Sequence, residues 1–496
     1  MTLRTPGRPR ALLAVRNLVP LCLLALITTP IPAARAQEQL WITQFGTSGQ
    51  DFACALVSDG AGGVIVAGSA GGSRGGPSAG DSDVYVARYD SVGNQIWIRQ
   101  FGTRNGESAF ALSPDGAGGV MVAGRTSGSL GGPNAGPSWT NDAFLARYDG
   151  AGNQLWIRQF GTSDSDSAGA LAPDGAGGVF VTGSTVGSLG GPNAGSSDVF
   201  LARYDGTGNR LWIRQFGTSA GERAKALASD GAGGVMVAGH THGSLGGPNA
   251  GNADVFLARY DSDGNRLWIR QFGTSEFDQA LALAPDGAGG VIIAGLTRGS
   301  LGGPNAGGHD VLLVRYDSAG NQLWINQFGT SEWERALALS PDGAGGVMVA
   351  GWTQGSLGGP SVGGHDAWLA RYDGAGDQLW IRQFGTSEGE QAYALALDGV
   401  GGVMVAGGTG GSLGGPNAGF WDAFLARYEI DSCPCACDFD TSTGAGVCDI
   451  IDFVTFAGLF AGGDPCACDI DTSTGPGVCD IIDFVTFAGQ FAAGCP

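Results

Sequence analysis

Between positions 40 and 428 the apolar residues fall in short runs broken by glycine-rich turns. One stretch reads RAKALASD, GGVMVAGHT, DVFLARYD and NRLWIRQFG, with DGAGG between the first two runs and SDGN between the last two. Runs of this length, rich in Val, Phe, Tyr and Trp and bounded by Gly, Asp and Asn, predict strands joined by short hairpins. The unit then recurs. Its WIxQFGT string places a Trp at 41, 97, 156, 212, 268, 324 and 380, spaced by 56 residues except for one interval of 59 near Trp139. Four antiparallel strands repeated seven times, with no helical period among them, predict an all-β chain folded as a seven-bladed β-propeller. An open β-solenoid is the alternative. The ends of the array favour closure. Residues 40–46 form a lone Trp strand with no partner before it, and the last unit stops at DAFLARY, residues 422–428, with no Trp strand after it. With strands lettered A to D, as in ALALAPD, GVIIAG, DVLLVRY and QLWINQFG, the N-terminal strand would serve as strand D of blade seven. That seam removes exposed sheet edges.

Composition points the same way. Of 496 residues 92 are Gly, and glycine inside a helix costs about 1 kcal/mol relative to alanine. With 43% hydrophobic residues and 12 Trp, the chain is too apolar to remain disordered. The formal charge is -20, and because the first 36 residues hold five Arg and no acid, the remainder carries -25. So acidic a surface repels phosphate backbones, which excludes nucleic acid as an expected partner. The basic start, the apolar run LVPLCLLALI and Ala34-Arg35-Ala36 predict a secretory signal peptide over residues 1–36. That run is about half of the ~20 residues a membrane-spanning helix needs, which argues against an anchor. No later segment is apolar enough to span. The mature chain is therefore expected to lack a transmembrane segment and to be secreted, periplasmic or cell-surface associated, where disulfides form.

The string DAFLARYDGAGNQLWIRQFGTS, taken with GAGGVMVAG, resembles the SBBP-type β-propeller repeat of exported bacterial proteins over residues 40–428. The resemblance implies the fold and says little about function.

Repetition separates scaffold from candidate chemistry. One Trp per blade is what packing between adjacent sheets requires. The repeated Asp254 and Arg259, equivalent to Asp310 and Arg315, are expected to form structural ion pairs and loop caps, since a catalytic group would occur once. Cys54 occupies a strand A position held elsewhere by Phe110, Leu281 or Tyr393, and reads as a packed free thiol. In an A-B-C-D blade the D–A and B–C loops emerge on one face of the disc and the two hairpins on the other. The hairpins hardly change from blade to blade. The D–A segments do change (SGQDF, RNGES, SDSDS, SAGER, SEFDQ, SEWER, SEGEQ), as does the end of strand B, which carries Ser69, Arg125, Ser184, His240, Leu296, Trp352 and Gly408 in turn. The variable face also gathers Trp139, Phe277, Trp333, Trp352, Phe420 and Trp421. Exposed aromatic platforms with Asp278, Glu332 and Glu334 nearby would stack on sugar rings or anchor a protein partner. The alternative is that they cover the glycine-rich GSLGGPNAG loops.

Catalysis has little support. The four His (His240, His242, His309, His365) lie on different blades or in loops, so no metal cluster follows from their spacing. No GxSxG or HExxH occurs. YDSDGNRLW is similar to the D-x-x-G-x-x-x-W turn of pyrroloquinoline-quinone dehydrogenase propellers, but those have eight blades, and this chain has a single Lys, Lys225. The expectation is a non-enzymatic propeller that binds a glycan or protein ligand on its variable face. A polysaccharide-acting hydrolase or lyase is the main alternative, and a surface-layer spacer a third. An enzyme should concentrate non-repeated acids near the disc axis.

After Tyr428 the composition changes. Residues 431–496 hold eight Cys, ten Asp and no basic residue, in two copies offset by 31 positions: CACDFDTSTGAGVCDIIDFVTFAGLFAGGDP and CACDIDTSTGPGVCDIIDFVTFAGQFAAGCP. Each copy sets acids on a Gly-bearing loop before an apolar helical stretch. This resembles the dockerin module, whose duplicated loops follow EF-hand logic. The resemblance implies calcium held by Asp438, Asp440, Ser442, Asp449 and Asp452, and by Asp469, Asp471, Ser473, Asp480 and Asp483, with a surface or cohesin-like anchoring partner. Three departures count against it: a loop of 15 residues where the standard has 12, a closing Asp where the EF-hand has Glu, and Cys448 and Cys479 inside the loops. A small disulfide-stapled knob with solvated acids is the other reading. Eight Cys allow 105 pairings. The register leaves Cys433 and Cys495 as the two Cys outside the repeat, which predicts a clasp between them, with Cys437–Cys448 and Cys468–Cys479 stapling the loops.

Overall fold

The computed structural model describes residues 39–430, and every regular element among them is a strand. The predicted signal peptide over 1–36 and the tail over 431–496, with its calcium ligands and disulfides, lie outside the described residues. The strands run from β1 (Gln39–Phe45) to β28 (Asp422–Glu429) and form seven four-stranded antiparallel sheets. This is the seven-bladed propeller that the repeats predict. Its closure is also as predicted: β1 pairs with β28, which continues through β27 (Gly402–Thr409) to β26 (Glu390–Leu397). The core lies between blades. In one such layer Met236, Ala238, Val255 and Leu257 of blade four meet Val291, Ile293, Leu312 and Tyr316 of blade five.

Each residue of the repeated QFGT has its own task, as the junction of blades four and five shows. Gln271 Oε1 accepts from the Leu245 and Gly246 N–H groups, while its Nε2 donates to the Gly243 carbonyl and to Asp254 Oδ2. Asp254 in turn accepts from the Ala250 N–H. One Gln–Asp pair thus folds the whole GSLGGPNAG loop. Phe272 packs on Tyr316 of blade five with ring centroids 5.6 Å apart. A Cβ on Gly273 would lie 2.4 Å from Asp254 Oδ1 and 3.0 Å from Asp278 Oδ2, so only glycine fits. Thr274 donates to Asp278 through both its N–H and its hydroxyl, at 2.6 and 2.9 Å.

The hairpin face holds the blades together. Asp230 Oδ1 accepts from the N–H groups of Ala232 and Gly234, closing the DGAGG turn, and its Oδ2 pairs with Arg259 at 2.8 Å. Arg259 Nη1 and Trp268 Nε1 both donate to the Ser318 carbonyl in the next blade, at 2.8 and 3.1 Å. The repeated Trp therefore packs between blades as expected. The ion pair corrects one detail: Arg259 binds Asp230, and Asp254 caps a loop on the opposite face.

Strand A positions the site. In every blade its pairing slips by one residue, in blade four between Ala224 and Ala226, which leaves Lys225 on a bulge. A bulge bends the strand and re-aims its side chains. Positions two and four of strand A are consequently left out of the packed core, as the exposed Arg223 and Lys225 show.

Candidate functional site

The strand A positions freed by the bulge line an axial cavity of about 700 Å³ on the variable face. Its wall includes Phe52, Cys54, Ser108, Phe110, Leu337 and Tyr393, with Ser69, Gly71, Asp81 and Ser82 at the rim. Continued round the ring, the same two positions carry Ser167 and Gly169, Arg223 and Lys225, Gln279 and Leu281, Arg335, and Gln391. Apolar side chains cluster on blades seven, one and two, and the cations stand on blades four and six. No strand A position of this wall holds a carboxylate; Asp81, from a B–C loop, is the acid lining the cavity. Cys54 is free and half-buried, and burial pushes its thiol up to about 12. It lines the cavity, where the sequence suggests a packed interior position.

The aromatics predicted for this face do not form one platform. They are distributed over the seams where a B–C loop meets the next blade's D–A loop through short parallel bridges, among them Ala253–Phe277, His309–Trp333 and Gln50–Trp421. At blades five and six, His309 stacks on Trp333 with centroids 4.6 Å apart, and Arg298 donates to His309 Nε2 and lies over the same indole. Beside them Arg335 covers Trp352, which meets His365 edge-on at 4.6 Å. At blades four and five, Phe277 touches His240 and His242, and Gln279 Nε2 bonds His240 Nδ1 at 2.9 Å. Trp421 packs against Phe52 on blades seven and one. Trp139 and Phe420 stand at loop tips, 82% and 77% exposed.

Two expectations change. Trp352 is only 6% exposed, because Arg335 and His365 close over it, so it cannot serve as an open platform, whereas Trp333 at 42% can. Asp278 and Glu334 are fully buried caps for Thr274 and Thr330, leaving Glu332 as the exposed acid of the three. Of the four histidines His240 and His242 meet, with ring centroids 5.6 Å apart, and no group of three or more metal-ligating side chains forms among the described residues. Burial, with Lys225, His242 and Arg223 nearby, holds His240 down to about 3; burial with Arg298 and Arg335 holds His309 down to about 4. These imidazoles are neutral at pH 7. The protein packed around Lys225, whose side chain still reaches solvent, and the charges of Arg223, Arg125 and Arg335 push its ammonium below the ordinary range.

Sequence reasoning did not single out the cationic wall of Arg223, Lys225 and Arg335. The signal was present: position two of strand A reads Phe, Ser, Ser, Arg, Gln, Arg, Gln through the blades, varying as much as the end of strand B.

No family model matches the chain. It is similar to the regulatory protein FlaEY of Caulobacter vibrioides, 29% identical over 235 residues, covering 44% of this chain and 24% of that protein. The chain thus spans about a quarter of the length of that relative. Among solved structures it is similar to the Pan2 WD40 domain of Neurospora crassa, at 9% identity and a TM-score of 0.46 over 81% of this chain and 97% of that one. It is also similar to YCF48 bound to D1 peptide, at 11% identity and a TM-score of 0.43 over 80% and 98%.

Proposed function

We propose that the chain is an exported, non-enzymatic propeller that binds a glycan or protein ligand on its variable face and is tethered by a calcium-loaded, dockerin-like tail. The observation that carries the binding part is the concentration of non-repeated side chains on one face: half-exposed Trp333, exposed Trp139 and Phe420, and the axial cavity among them. On the hairpin face the repeated Arg, Asp and Trp are consumed in holding blades together. No strand A position of the channel wall carries a carboxylate and Asp81 is the acid at its rim, which favours binding over polysaccharide hydrolysis, a reaction that in most such enzymes needs two carboxylates about 5–10 Å apart. The test uses the secreted full-length chain on a glycan array and in partner capture, beside Trp139→Ala and Trp333→Ala and their combination. Binding should fall at least tenfold in the double variant with an unchanged melting temperature. Binding that is absent from the parent, or survives both changes, overturns this reading.

A further inference from the structure

The cations of this acidic chain are distributed unevenly. On the hairpin face each blade spends one Arg on an Asp, as Arg259 does on Asp230. On the variable face Arg125, Arg223, Lys225 and Arg335, from blades two, four and six, make no ion pair among the described residues. Arg223, Lys225 and Arg335 sit on the inward positions of strand A, and Arg125 lies over Phe110 of the cavity wall. Arg335 Nε and His309 Nδ1 are buried without a hydrogen-bond partner. The A strands of neighbouring blades touch one another all round the ring, so the inward side chains of blades four and six surround one axis. Like charges held together without counterions cost stability. A ligand that supplies the missing charge would offset that cost.

The surroundings narrow the ligand. The tips of the D–A loops carry exposed Asp164, Glu276, Glu332 and Glu388, so the cationic centre sits inside an acidic rim on a chain of net charge -20. A densely charged polymer laid across the face would meet that rim. A chain that enters end-on meets only the centre. Between the cations the same ring presents Phe52, Phe110, Leu337 and Tyr393, with Asp81 at the rim, an apolar wall suited to the faces of sugar rings. A cavity of about 700 Å³ falls within the range of small-ligand sites, about 300–1,000 Å³.

We propose that the axial mouth of the variable face binds the carboxylate-bearing end of an acidic oligosaccharide, with Lys225, Arg125 and Arg335 taking the carboxylate and the apolar wall taking the sugar. This rests on the variable-face reading above and names its ligand class. It is tested by titrating the full-length secreted chain, followed by calorimetry, with trigalacturonate, its methyl ester and triglutamate, at 20 and 500 mM NaCl. Trigalacturonate should bind, more weakly at high salt because exposed charge interactions are screened, and the uncharged ester at least tenfold more weakly. Lys225→Gln should weaken binding several-fold without lowering the melting temperature, Arg335→Gln should also weaken it several-fold, and Lys225→Arg should retain it. The proposal is overturned if the ester binds as well as the acid, if triglutamate binds as tightly, which would make the partner an acidic peptide, if both Gln variants bind normally, or if no probe binds. The broader reading fails separately, through unchanged partner capture by the Trp139→Ala, Trp333→Ala double variant.

Discussion

At the scale of single residues the clearest tension is between buried carboxylates. At the closing seam Asp51 Oδ2 accepts from Thr47 N–H and Oγ1, and Asp422 Oδ2 from Gln44 and the Ala418 N–H, but the Oδ1 atoms of both are buried without a donor. In blade four the equivalent acid, Glu222, is served by the Thr241 hydroxyl at 2.7 Å; at the seam that position is Ala70, opposite Asp51. Burial, and more weakly the Asp422 charge, raise the Asp51 carboxyl above its ordinary value against the pull of its Thr47 bonds and Arg74. A raised acid binds its proton more tightly folded than unfolded. Its contribution to stability is therefore greatest below the ordinary carboxylate value and is lost as pH rises through the raised one. Asp51→Asn keeps the acceptor for Thr47 and removes the charge. It should raise stability by about 1 kcal/mol at pH 7.5, read as a higher urea midpoint, and the gain should shrink at pH 4.5 as the parent takes up its proton. A less stable variant at pH 7.5, or a gain that grows on acidification, contradicts this account.

Between elements, the staple from one hairpin to the next blade is the recurring stabiliser. Arg259 serves two acceptors at once, Asp230 within its blade and the Ser318 carbonyl beyond it. Removing it leaves the Asp230 carboxylate, 2% exposed, without its cation, and Arg259→Ala should cost about 2 kcal/mol. Arg259→Lys should recover less than half, because one ammonium cannot reproduce the fork that reaches both partners. Full recovery by Lys in a urea titration would reduce the staple to simple charge neutralisation. This network was partly legible in the sequence. Spacing alone gave the strands, their number, the closing seam and the face on which variation falls, because period and turn residues are written directly along the chain. The identity of partners was not legible: Arg259 and Asp254 are five residues apart on one strand, yet their side chains work at opposite ends of it. The cavity wall was missed for a related reason. The bulge at Lys225 re-aims strand A, and nothing in the alternation of RAKALAS announces which residue becomes the extra one. Likewise Trp352 was expected in the open, and its burial depends on Arg335 and His365, which only the assembled seam brings over it.

At the scale of the whole ring the seam is one position among seven equivalent ones, and it has a specific cost. In blade three the turn Asp205-Gly206-Thr207-Gly208-Asn209 joins strands C and D, and the Gly206 carbonyl accepts from Trp156 Nε1 of the preceding blade at 3.0 Å. Blade seven has no such turn among the described residues, and the Trp380 indole N–H that would use it is buried without an acceptor. Tyr428 and Gln39 are paired neighbours across the seam, so the same five-residue turn can join them. A circular permutant of residues 39–428, closed by that turn and opened at residues 205–209, moves the seam from blade seven to blade three: Trp380 gains a carbonyl and Trp156 loses one. Its melting temperature should therefore stay within about 5 °C of the unpermuted propeller, since one hydrogen bond is exchanged for another. Opening the ring instead in the B–C loop of blade three, between Asn193 and Ala194, splits a loop that Gln215 and Asp198 fold between them. That permutant should melt clearly lower than the first. Equal melting of the two would mean that the Gln–Asp clip contributes nothing to closure, and failure of the first to fold would mean that the native seam is not interchangeable with the other six.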